Sequence, residues 1–341
     1  MADPVRILLV ADTHLGFDLP VRPRIERRRR GPDFFACFEK ALEPALRGEI
    51  DLVVHGGDLL FRSKVRPSLV LRAFEPLFRV ADAGVPVFVV PGNHERSAIP
   101  YALLTRRERV FVFDEPRTFR VEVGATTVAL SGFPNIRRDV STRFGDAFDQ
   151  TGWRKVAADV RVLCLHQIVE GATVGPVGFT FRRGHDVISG RDLPAGLAAV
   201  LCGHVHRAQV LRTDLVGRPL AAPVFYPGSV ERTAFAEQDE IKGYFVLSAV
   251  RTGSPGGALK DERFCPLPAR PMATVELDVT GLSESVLFAA IREALRAQPD
   301  DAVVRIRLSG VLRDEARGAV RAAALRKLAP ETMNVELSLV R

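Results

Sequence analysis

The residues of this sequence that first suggest chemistry are two histidines in its second half. An apolar run leads into Gly203, and His204 and His206 follow it two positions apart. On an extended backbone, side chains two positions apart point to the same face. One short segment could therefore offer imidazoles to two neighbouring metal ions.

Four other predicted strands also end in residues that can bind metals. Apolar runs at 5–10, 51–54, 85–90 and 160–165 predict strands buried on both faces. The residues that follow them are Asp12 and His14, then Asp58, then Asn93 and His94, and finally His166. In layered α/β sheets, ligands gather outside the carboxyl ends of the strands, so residues far apart in the chain can converge on one crevice. This placement predicts a metal site.

The mixture of residue types indicates which metals and which reaction the site would suit. Carboxylate, imidazole and amide ligands favour Mn²⁺, Fe²⁺ or Zn²⁺ over Ca²⁺. Two ions about 3.5–4 Å apart that share one carboxylate can clamp a phosphate during in-line displacement. One ion lowers the pKa of a bound water, and a histidine that is not a ligand can protonate the leaving oxygen. The pattern therefore favours phosphate ester hydrolysis.

The elements around these residues alternate between strands and helices. Apolar residues at helical spacing over 33–47 and 68–83 separate the first three strands, which predicts a parallel sheet with crossover helices. A hairpin is expected at 119–131, irregular structure at 133–153 and a long loop at 171–190. Residues 220–226 and 243–250 are expected to continue the sheet as antiparallel strands.

A change of composition near the C-terminus predicts two domains. Residues 251–271 are rich in Gly and Pro, and we interpret them as a linker. Beyond it, residues 274–340 show a βαβαβ pattern, which predicts a small α+β cap. The expected organisation is an α/β domain at 1–265 followed by a cap domain at 272–341.

The composition favours a cytoplasmic protein with a polyanionic partner. The 48 basic and 41 acidic residues give a net charge of +7, although only six of the basic residues are lysines and an arginine bias of the genome would have the same effect. No uncharged run approaches the ~18 apolar residues of a membrane span, and the N-terminus lacks a signal-peptide pattern. The four cysteines form no CxxC pair, as expected in a reducing compartment.

Taken in order, the motifs resemble those of the calcineurin-type metallophosphoesterase superfamily. They are Asp12-Thr13-His14-Leu15-Gly16, Gly57-Asp58-Leu59, Gly92-Asn93-His94-Glu95, a lone His166, and Gly203-His204-Val205-His206. Within that superfamily, Tyr226-Pro227-Gly228-Ser229 and a cap after a Pro-rich linker resemble the SbcD-type DNA repair exonucleases. The resemblance covers nearly the whole chain.

The resemblance implies a fold, a ligand set and a catalytic residue. The fold is an α/β layered β-sandwich flanked by helices, with the cap at its C-terminal end. The implied metals are two divalent ions, with Mn²⁺ favoured and Fe²⁺ or Zn²⁺ left open. One ion is held by Asp12, His14, Asp58 and His206, and the other by Asp58, Asn93, His166 and His204. His94 is the implied proton donor to the leaving group or stabiliser of the transition state.

Two positions depart from the family pattern. Glu95 stands where many relatives have Asp, and its longer side chain is expected to orient His94 differently. Phe61 stands three residues beyond Asp58, where some relatives have a second catalytic histidine. The direction of cleavage is therefore left open.

The expected function is a dinuclear-metal phosphodiesterase that acts on DNA as an exonuclease, with endonuclease activity left open. Arginines in loops that border the crevice are predicted to bind substrate phosphates. They are Arg62, Arg137, Arg138, Arg182 and Arg183, and the cluster at 22–30 is a further candidate. A solvated charged face is the competing interpretation of these arginines. His55 is interpreted as a structural residue beneath the site.

Two other functions are carried as alternatives. One is a phosphoesterase for a small nucleotide or another phosphate ester, and the other is a DNA-binding scaffold with a vestigial metal site. DNA is the expected partner, and a homodimer is left open. An SbcC-type coiled-coil ATPase partner is also left open, because the family's segment for binding it follows the cap.

Overall fold

The computed structural model describes residues 3–24, 27–95, 107–318 and 320–339, most of which lie in strands and loops. The strands are β1 (Val5–Val10), β2 (Leu52–His55), β3 (Val87–Val89), β4 (Val110–Val112), β5 (Arg117–Val123), β6 (Thr126–Gly132), β7 (Val160–His166), β8 (Ile168–Val169), β9 (Thr173–Val174), β10 (Phe179–Thr180), β11 (Val187–Ile188), β12 (Ala199–Gly203), β13 (Gln209–Thr213), β14 (Pro219–Tyr226), β15 (Gly243–Val250), β16 (Ala258–Pro266), β17 (Met272–Asp278), β18 (Val303–Ser309) and β19 (Asn334–Leu339). The helices are α1 (Gly31–Leu46), α2 (Pro67–Asp82), α3 (Val140–Gln150), α4 (Glu284–Arg296) and α5 (Ala322–Leu328). Short 3₁₀ turns lie at Trp153–Lys155, Gly190–Asp192, Phe235–Glu237 and Asp314–Gly318.

The chain divides into two units, and the larger one contains two six-stranded sheets. It comprises Met1–Phe17, Asp33–Glu231 and Glu240–Pro268. The first sheet has the order β16-β15-β1-β2-β3-β4, and the second has the order β13-β14-β12-β7-β6-β5. Strands β1 to β4 run parallel in the first sheet, and β6, β7, β12 and β14 run parallel in the second.

Apolar side chains from both sheets form one core between them. Ile7, Val54 and Phe88 of the first sheet share a buried cluster with Val162 and Leu201 of the second. Each such side chain contributes about 1.5–3 kcal/mol through burial, which is why the strands have apolar residues on this face.

Helices cover the outer faces of the two sheets. In α1, the ring of Phe38 meets the imidazole of His55 on β2, with 5.7 Å between ring centroids. Helix α2 packs against β3 and β4. Phe144 and Phe148 of α3 belong to a second buried cluster with Leu163 of β7. The predicted α/β fold, a layered β-sandwich flanked by helices, is confirmed.

The strand pairing places the predicted ligands at one end of the sheets. Val10 at the end of β1 pairs with His55 at the end of β2, which in turn pairs with Val89 at the end of β3. In the second sheet, Gly203 at the end of β12 pairs with His166 at the end of β7. The ligand-type residues lie at these strand ends or in the loops that follow them.

The smaller unit is built from three segments of the chain, Asp18–Pro32, Arg232–Asp239 and Ala269–Arg341. Its sheet has the order β17-β18-β19, and all three strands run parallel. Leu287 and Ile291 of α4 and Leu325 of α5 share its core with Val304 and Ile306 of β18. Residues 18–32 and 232–239 therefore belong to this unit, although the sequence analysis placed them in the domain at 1–265. Residues 319, 340 and 341 of the predicted cap lie outside the described ranges.

Several segments differ from their predicted structure. The segment 251–271, interpreted as a linker, contains β16, which pairs with β15; its polar, half-exposed residues give no apolar run. The segment 133–153 contains α3, whose buried residues Val140, Phe144 and Phe148 are spaced by four while Gly145 and β-branched neighbours weaken the helical signal. The loop at 171–190 contains three two-residue strands. Strand β14 runs antiparallel to β13 but parallel to β12, because its partners are set by tertiary packing.

Across the described part of the chain, no helix has both the length and the apolar character needed to traverse a membrane.

Candidate metal centre

Four of the ligand-type residues adopt a backbone conformation that is uncommon for residues with a side chain. The φ angle is 51° at Asp12, 44° at His14, 51° at Asp58 and 86° at His204. Such residues cost about 1–3 kcal/mol each and persist where their surroundings fix them. Here the loops after β1 and β2 hold each other, because Asp12 N donates to Gly57 O at 2.9 Å and His14 N donates to Asp58 O at 3.0 Å.

Asp12, His14 and His206 form a first group of possible metal ligands. Their ligand atoms all lie within 4.8 Å of one another. The Nε2 atoms of His14 and His206 are 2.9 Å apart, although 192 positions separate the two residues in the chain. The backbone N–H of His204 donates to both carboxylate oxygens of Asp12, at 3.1 and 3.0 Å, and so orients that side chain.

Asp58, His166 and His204 form a second group within the same distance limit. Asn93 joins it, since its Oδ1 lies 3.1 Å from His166 Nε2 and 2.9 Å from His204 Nδ1. His166 Nδ1–H donates to Gly56 O at 2.8 Å, which leaves Nε2 facing the group. The Oδ2 atom of Asp58 lies 3.4 Å from that Nε2.

Asp58 also belongs to a third group, with His14 and His94. Its Oδ1 accepts a hydrogen bond from His94 N at 2.9 Å, while its Oδ2 lies 3.9 Å from His94 Nε2. A Cβ on Gly92 would lie 2.2 Å from Asp58 Oδ1, so only glycine leaves room for this carboxylate. Asp58 is therefore the carboxylate that the second and third groups share, and His14 links the third group to the first.

His94 is half-buried, whereas His14 and His166 are buried. Its side chain is 33% exposed, whereas that of His166 is completely buried. Its Nδ1–H donates to the carbonyl oxygen of Phe61 at 2.6 Å. That bond fixes the ring with Nε2 on the side of Asp58, so Nε2 is the atom available to a substrate.

Glu95 holds two of the loops together from inside the protein. Its Oε1 accepts a hydrogen bond from Leu60 N at 2.7 Å, and its Oε2 accepts one from Gly92 N at 2.8 Å. Burial and the negative charge of Asp58 raise the pKa of Glu95 to about 8. Through its two hydrogen bonds to backbone N–H groups, the carboxyl group of Glu95 joins the loop that carries Asp58 to the loop that carries Asn93.

Burial sets the protonation of the cluster. It lowers the pKa of His14 well below the usual value and that of His204 to about 3, so both rings are neutral and keep a lone pair. Burial raises the pKa of Asp12 to about 6. Burial also lowers the pKa of His166, but the carboxylate of Asp58 outweighs it and raises that pKa to about 9. In turn, the imidazole of His166 outweighs burial at Asp58 and holds that pKa below its usual range.

These residues fit a pair of divalent cations. The Nδ1 atom of His14 is buried and, among the described residues, has no hydrogen-bond partner. The Nε2 atoms of His14 and His206 face each other at 2.9 Å. The proton shared by Asp58 Oδ2 and His166 Nε2 occupies a place that a cation can take. Carboxylate, amide and imidazole donors together suit Mn²⁺, Fe²⁺ or Zn²⁺.

The five predicted substrate-binding arginines lie on the surface of the larger unit. Arg62, Arg137, Arg138, Arg182 and Arg183 are all exposed. The guanidinium of Arg62 lies 5.4 Å from the ring centroid of Phe61, and Arg183 Nε lies 3.3 Å from the Oε1 of Glu170. No hydrogen bond or ion pair within the described ranges joins any of the five to the ligand-type residues.

The ligands are supported by hydrogen bonds that the sequence pattern does not predict. His55 is completely buried, and its Nε2–H donates to Thr13 Oγ1 at 3.1 Å. The Thr13 hydroxyl donates to Leu59 O at 3.1 Å, and Gly57 N donates to His55 Nδ1 at 3.2 Å. Asn135 Nδ2 donates to the carbonyl of His166 at 2.7 Å. The sequence signals for these roles are that His55 is interpreted as a structural residue beneath the site and that Thr13 stands between two ligand-type residues.

Comparison with known proteins gives one family and a set of curated relatives. Residues 5–208 match the family of calcineurin-like phosphoesterases. The DNA double-strand break repair protein Mre11 of Haloferax volcanii is 30% identical over 307 residues, which is 89% of this chain and 61% of that protein. The protein of the same description from Archaeoglobus fulgidus is 27% identical over 336 residues, which is 91% of this chain and 72% of that protein.

A third relative of that description, from Aeropyrum pernix, is 28% identical over 289 residues, and the match covers 80% of this chain and 64% of that protein. The chain thus spans 61% to 72% of the length of these three relatives. Among solved structures, a hypothetical protein from Thermus thermophilus is 15% identical with a TM-score of 0.45, over 77% of this chain and 100% of that chain. A dimetal phosphatase from Danio rerio is 14% identical with a TM-score of 0.45, over 78% of this chain and 96% of that chain.

Proposed function

Because the chain belongs to the calcineurin-like phosphoesterase family, we propose that it is a dinuclear-metal phosphodiesterase that cleaves DNA as an exonuclease. The observation that carries this proposal is that Asp58 belongs to one group with His166 and His204 and to another with His14, and that His14 also belongs to the group of Asp12 and His206. A shared carboxylate can hold two ions about 3.5–4 Å apart, and a pair of ions at that spacing can stabilise both the attacking and the leaving oxygen of an in-line displacement at phosphorus.

In this proposal, Asp12, His14, Asp58 and His206 hold one ion, and Asp58, Asn93, His166 and His204 hold the other. The distance of 2.9 Å between the Nε2 atoms of His14 and His206 supports the first set. The approach of Asn93 Oδ1 to His166 and His204, at 3.1 and 2.9 Å, supports the second. We propose Mn²⁺ as the metal, and Fe²⁺ and Zn²⁺ suit the same ligands.

When bound, the ions supply a deprotonated water at neutral pH and neutralise negative charge on the phosphate. The residues of the chain do the remaining work. In its doubly protonated form, His94 can give the proton on Nε2 to the leaving oxygen, because the proton on Nδ1 is bound to Phe61 O. The partial exposure of His94 lets a phosphate ester reach that nitrogen. Glu95 keeps the loops of Asp58 and Asn93 in register through Leu60 N and Gly92 N.

DNA is the proposed substrate for two reasons. The curated relatives are described as DNA double-strand break repair proteins. The chain carries a net charge of +7 and exposes arginines in its loops, which suits a polyanion. The arginines proposed to contact phosphates are Arg62, Arg137, Arg138, Arg182 and Arg183. A second copy of the chain and an SbcC-type ATPase are the protein partners to test, by light scattering and by co-purification.

The test is a cleavage assay on the full chain with Mn²⁺. The substrates are end-labelled duplex DNA, single-stranded DNA and a chromogenic phosphodiester, and the variants are Asp58→Ala, His94→Ala and His185→Ala as an exposed control. We expect DNA cleavage by the wild type and by the His185 variant. Loss of a general acid lowers turnover by about 100- to 10,000-fold, so the His94 variant should lose activity while it keeps its Mn²⁺, and the Asp58 variant should lose both.

Two other outcomes would replace the proposal. Turnover of only the chromogenic ester would make the protein a phosphoesterase for small substrates. Tight DNA binding without cleavage under Mn²⁺, Fe²⁺ or Zn²⁺ would make it a binding protein with a vestigial site.

A further inference from the structure

Lys242 is a lysine whose side chain is completely buried in the larger unit, just before β15. Lysine is among the residues least often found fully buried unless paired. Its Nζ donates to the backbone oxygen of His206 at 3.0 Å and to Glu240 Oε2 at 2.9 Å. The other carboxylate oxygen, Glu240 Oε1, accepts a hydrogen bond from Arg207 Nε at 3.1 Å. A buried ion pair therefore contacts the backbone of a proposed metal ligand.

The energetics of buried ion pairs indicate that this pair does more than stabilise the fold. Removing an ammonium group from water is costly, and well-packed apolar residues often stabilise a protein as much as a buried pair does. The carbonyl oxygen of His206 already receives a second hydrogen bond, from Ser229 N at 3.1 Å. That oxygen therefore has a hydrogen-bond donor without Lys242. The additional hydrogen bond from Lys242 fixes the direction in which the carbonyl group of His206 points.

Lys242 connects the two sheets at the end where the ligands meet. Its own backbone is held beside the end of β16, because the N–H of Leu267, one residue beyond that strand, donates to its carbonyl oxygen at 2.8 Å. It precedes β15, which pairs with β1 in the first sheet, whereas His206 follows β12 in the second sheet. The first ligand group spans these sheets, since His14 follows β1 and His206 follows β12.

Other contacts hold the loop of His206 from the side of the second sheet. Gly228 has a φ of 77°, and a Cβ there would lie 2.5 Å from the His206 oxygen, so the turn that carries Ser229 passes close to the same carbonyl. Arg207, next in the chain, also donates to Gly175 O. Hydrogen bonds from the sides of both sheets thus hold the loop of His206, and the hydrogen bond from the first sheet comes from Lys242.

We propose that Lys242, together with Glu240, is a positioning residue that sets His206 opposite His14 and so determines occupancy of the first of the two cation sites. The inference rests on the proposed function, because it assigns His206 to a cation site. Loss of Lys242 therefore weakens cation binding at the site of Asp12, His14 and His206 and leaves cation binding at the site of Asn93, His166 and His204 intact.

The experiment measures Mn²⁺ binding by the full chain after removal of metals with a chelator. Lys242→Met keeps the length of the side chain and removes the donor, and Glu240→Gln removes the charge of its partner while it keeps an acceptor for Arg207. The double variant removes both charges, so it folds without an unpaired buried ion. Lys260→Met, at an exposed lysine, is the matched control. Calorimetry gives stoichiometry and affinity, and electron paramagnetic resonance reports coupled Mn²⁺ pairs.

We expect two Mn²⁺ equivalents in the wild type and in the Lys260 variant. In Lys242→Met, one equivalent should bind at least tenfold more weakly, the other should be unchanged, and the signal of coupled pairs should fall at equal Mn²⁺. The double variant should recover thermal stability but not the weakened equivalent, which separates positioning from a purely structural role.

Equal weakening of both equivalents would overturn the inference, as would recovery of both in the double variant. Unchanged binding in Lys242→Met would overturn it as well and leave the proposed function standing. Absence of Mn²⁺ uptake by the wild type would overturn the proposed function, and the inference with it.

Discussion

His55 shows how a single buried residue supports the candidate centre without facing it. Its ring bridges the loops after β1 and β2, because it donates to Thr13 Oγ1 and accepts from Gly57 N, at 3.1 and 3.2 Å. Since Thr13 donates its own proton to Leu59 O, it must accept from His55, which places the imidazole proton on Nε2. The ring is neutral, and burial lowers its pKa to about 3.

This protonation state predicts a specific pH dependence of stability. The folded pKa of His55 is depressed below the unfolded value, so the unfolded chain binds the proton first as pH falls. The contribution of His55 is therefore complete above pH 6.5 and is lost as pH falls toward 3. The loss amounts to at most about 1.4 kcal/mol per pH unit. We measure the free energy of unfolding by urea denaturation between about pH 4.5 and 7.5. In the metal-free His55→Gln variant, we expect this free energy to fall less steeply with decreasing pH than in the wild type.

His185→Gln is the control for that measurement, because His185 is exposed in a loop. Its unfolding free energy should follow the wild-type curve at every pH. His14 and His204 also have lowered pKa values, but both are present in wild type and variant, so the difference between the curves isolates His55. Parallel curves for wild type and His55→Gln would contradict the neutral, buried assignment.

At this scale, sequence predicts side chains that act through their own chemistry and misses those that act on the backbone. Asp58, His166 and His204 each follow an apolar run, so their placement can be anticipated before the fold is known. Glu95 and Lys242 bind backbone N–H and C=O groups, which nearly every residue has, so no residue type marks their partners in the sequence. Their roles depend on which loops the fold brings together.

At the scale of elements, the arginine run at 27–30 has contacts within the protein beside the phosphate contacts predicted for it. The clustered arginines are predicted to contact phosphates, and four of their contacts with protein groups lie within the smaller unit. Arg27 Nη2 donates to backbone carbonyls at the C-terminal end of α5, and Arg28 lies 3.6 Å from Asp301. Arg29 pairs with Asp18, and Arg30 donates to Arg232 O.

Arg27 provides a test of this assignment. Its acceptors are the carbonyls of Arg326, Ala329 and Pro330, at 2.9, 3.3 and 3.4 Å, where the α5 helix dipole is negative. We expect Arg27→Met to destabilise the smaller unit by about 1 kcal/mol, a value reduced by its partial exposure. Hydrogen exchange of residues 322–330 should report this as faster exchange.

The matched control is Arg24→Met, at an exposed arginine of the same segment. It should leave exchange in α5 unchanged. DNA affinity should fall no further in the Arg27 variant than in the Arg24 variant. A larger fall in affinity at Arg27, with exchange of α5 unaltered, would return the run to the role of a phosphate contact.

Elements with strong local patterns are those that the sequence predicts. Strand β1 is apolar except for Arg6, and α2 combines helical spacing with Pro67 at its start and Gly84 beyond its end. Strand β16 lies at the edge of its sheet with half-exposed polar residues, so its identity depends on pairing with β15. The pairing of β1 with β15 joins residues far apart in the chain, which local patterns do not encode.

At the scale of the whole larger unit, the ligand-type residues are divided between its two sheets. Asp12, His14, Asp58 and Asn93 follow β1, β2 and β3 of the first sheet. His166, His204 and His206 lie at the ends of β7 and β12 in the second. Each proposed ion therefore has ligands from both sheets, so bound cations would hold the two layers together at this end.

This division predicts that Mn²⁺ stabilises the protein against unfolding. A ligand that binds only the folded state adds about 2.7 kcal/mol at 100 times its Kd, which corresponds to a rise in Tm of about 5–10 °C for a unit of this size. We expect that rise in calorimetry when Mn²⁺ is added to the chelator-treated chain, and its reversal by excess chelator. Asp58→Asn removes the carboxylate charge common to both ligand sets, so its Tm should respond far less. An equal rise in that variant would mean that Mn²⁺ acts elsewhere on the molecule, because no site that depends on Asp58 could then account for the effect.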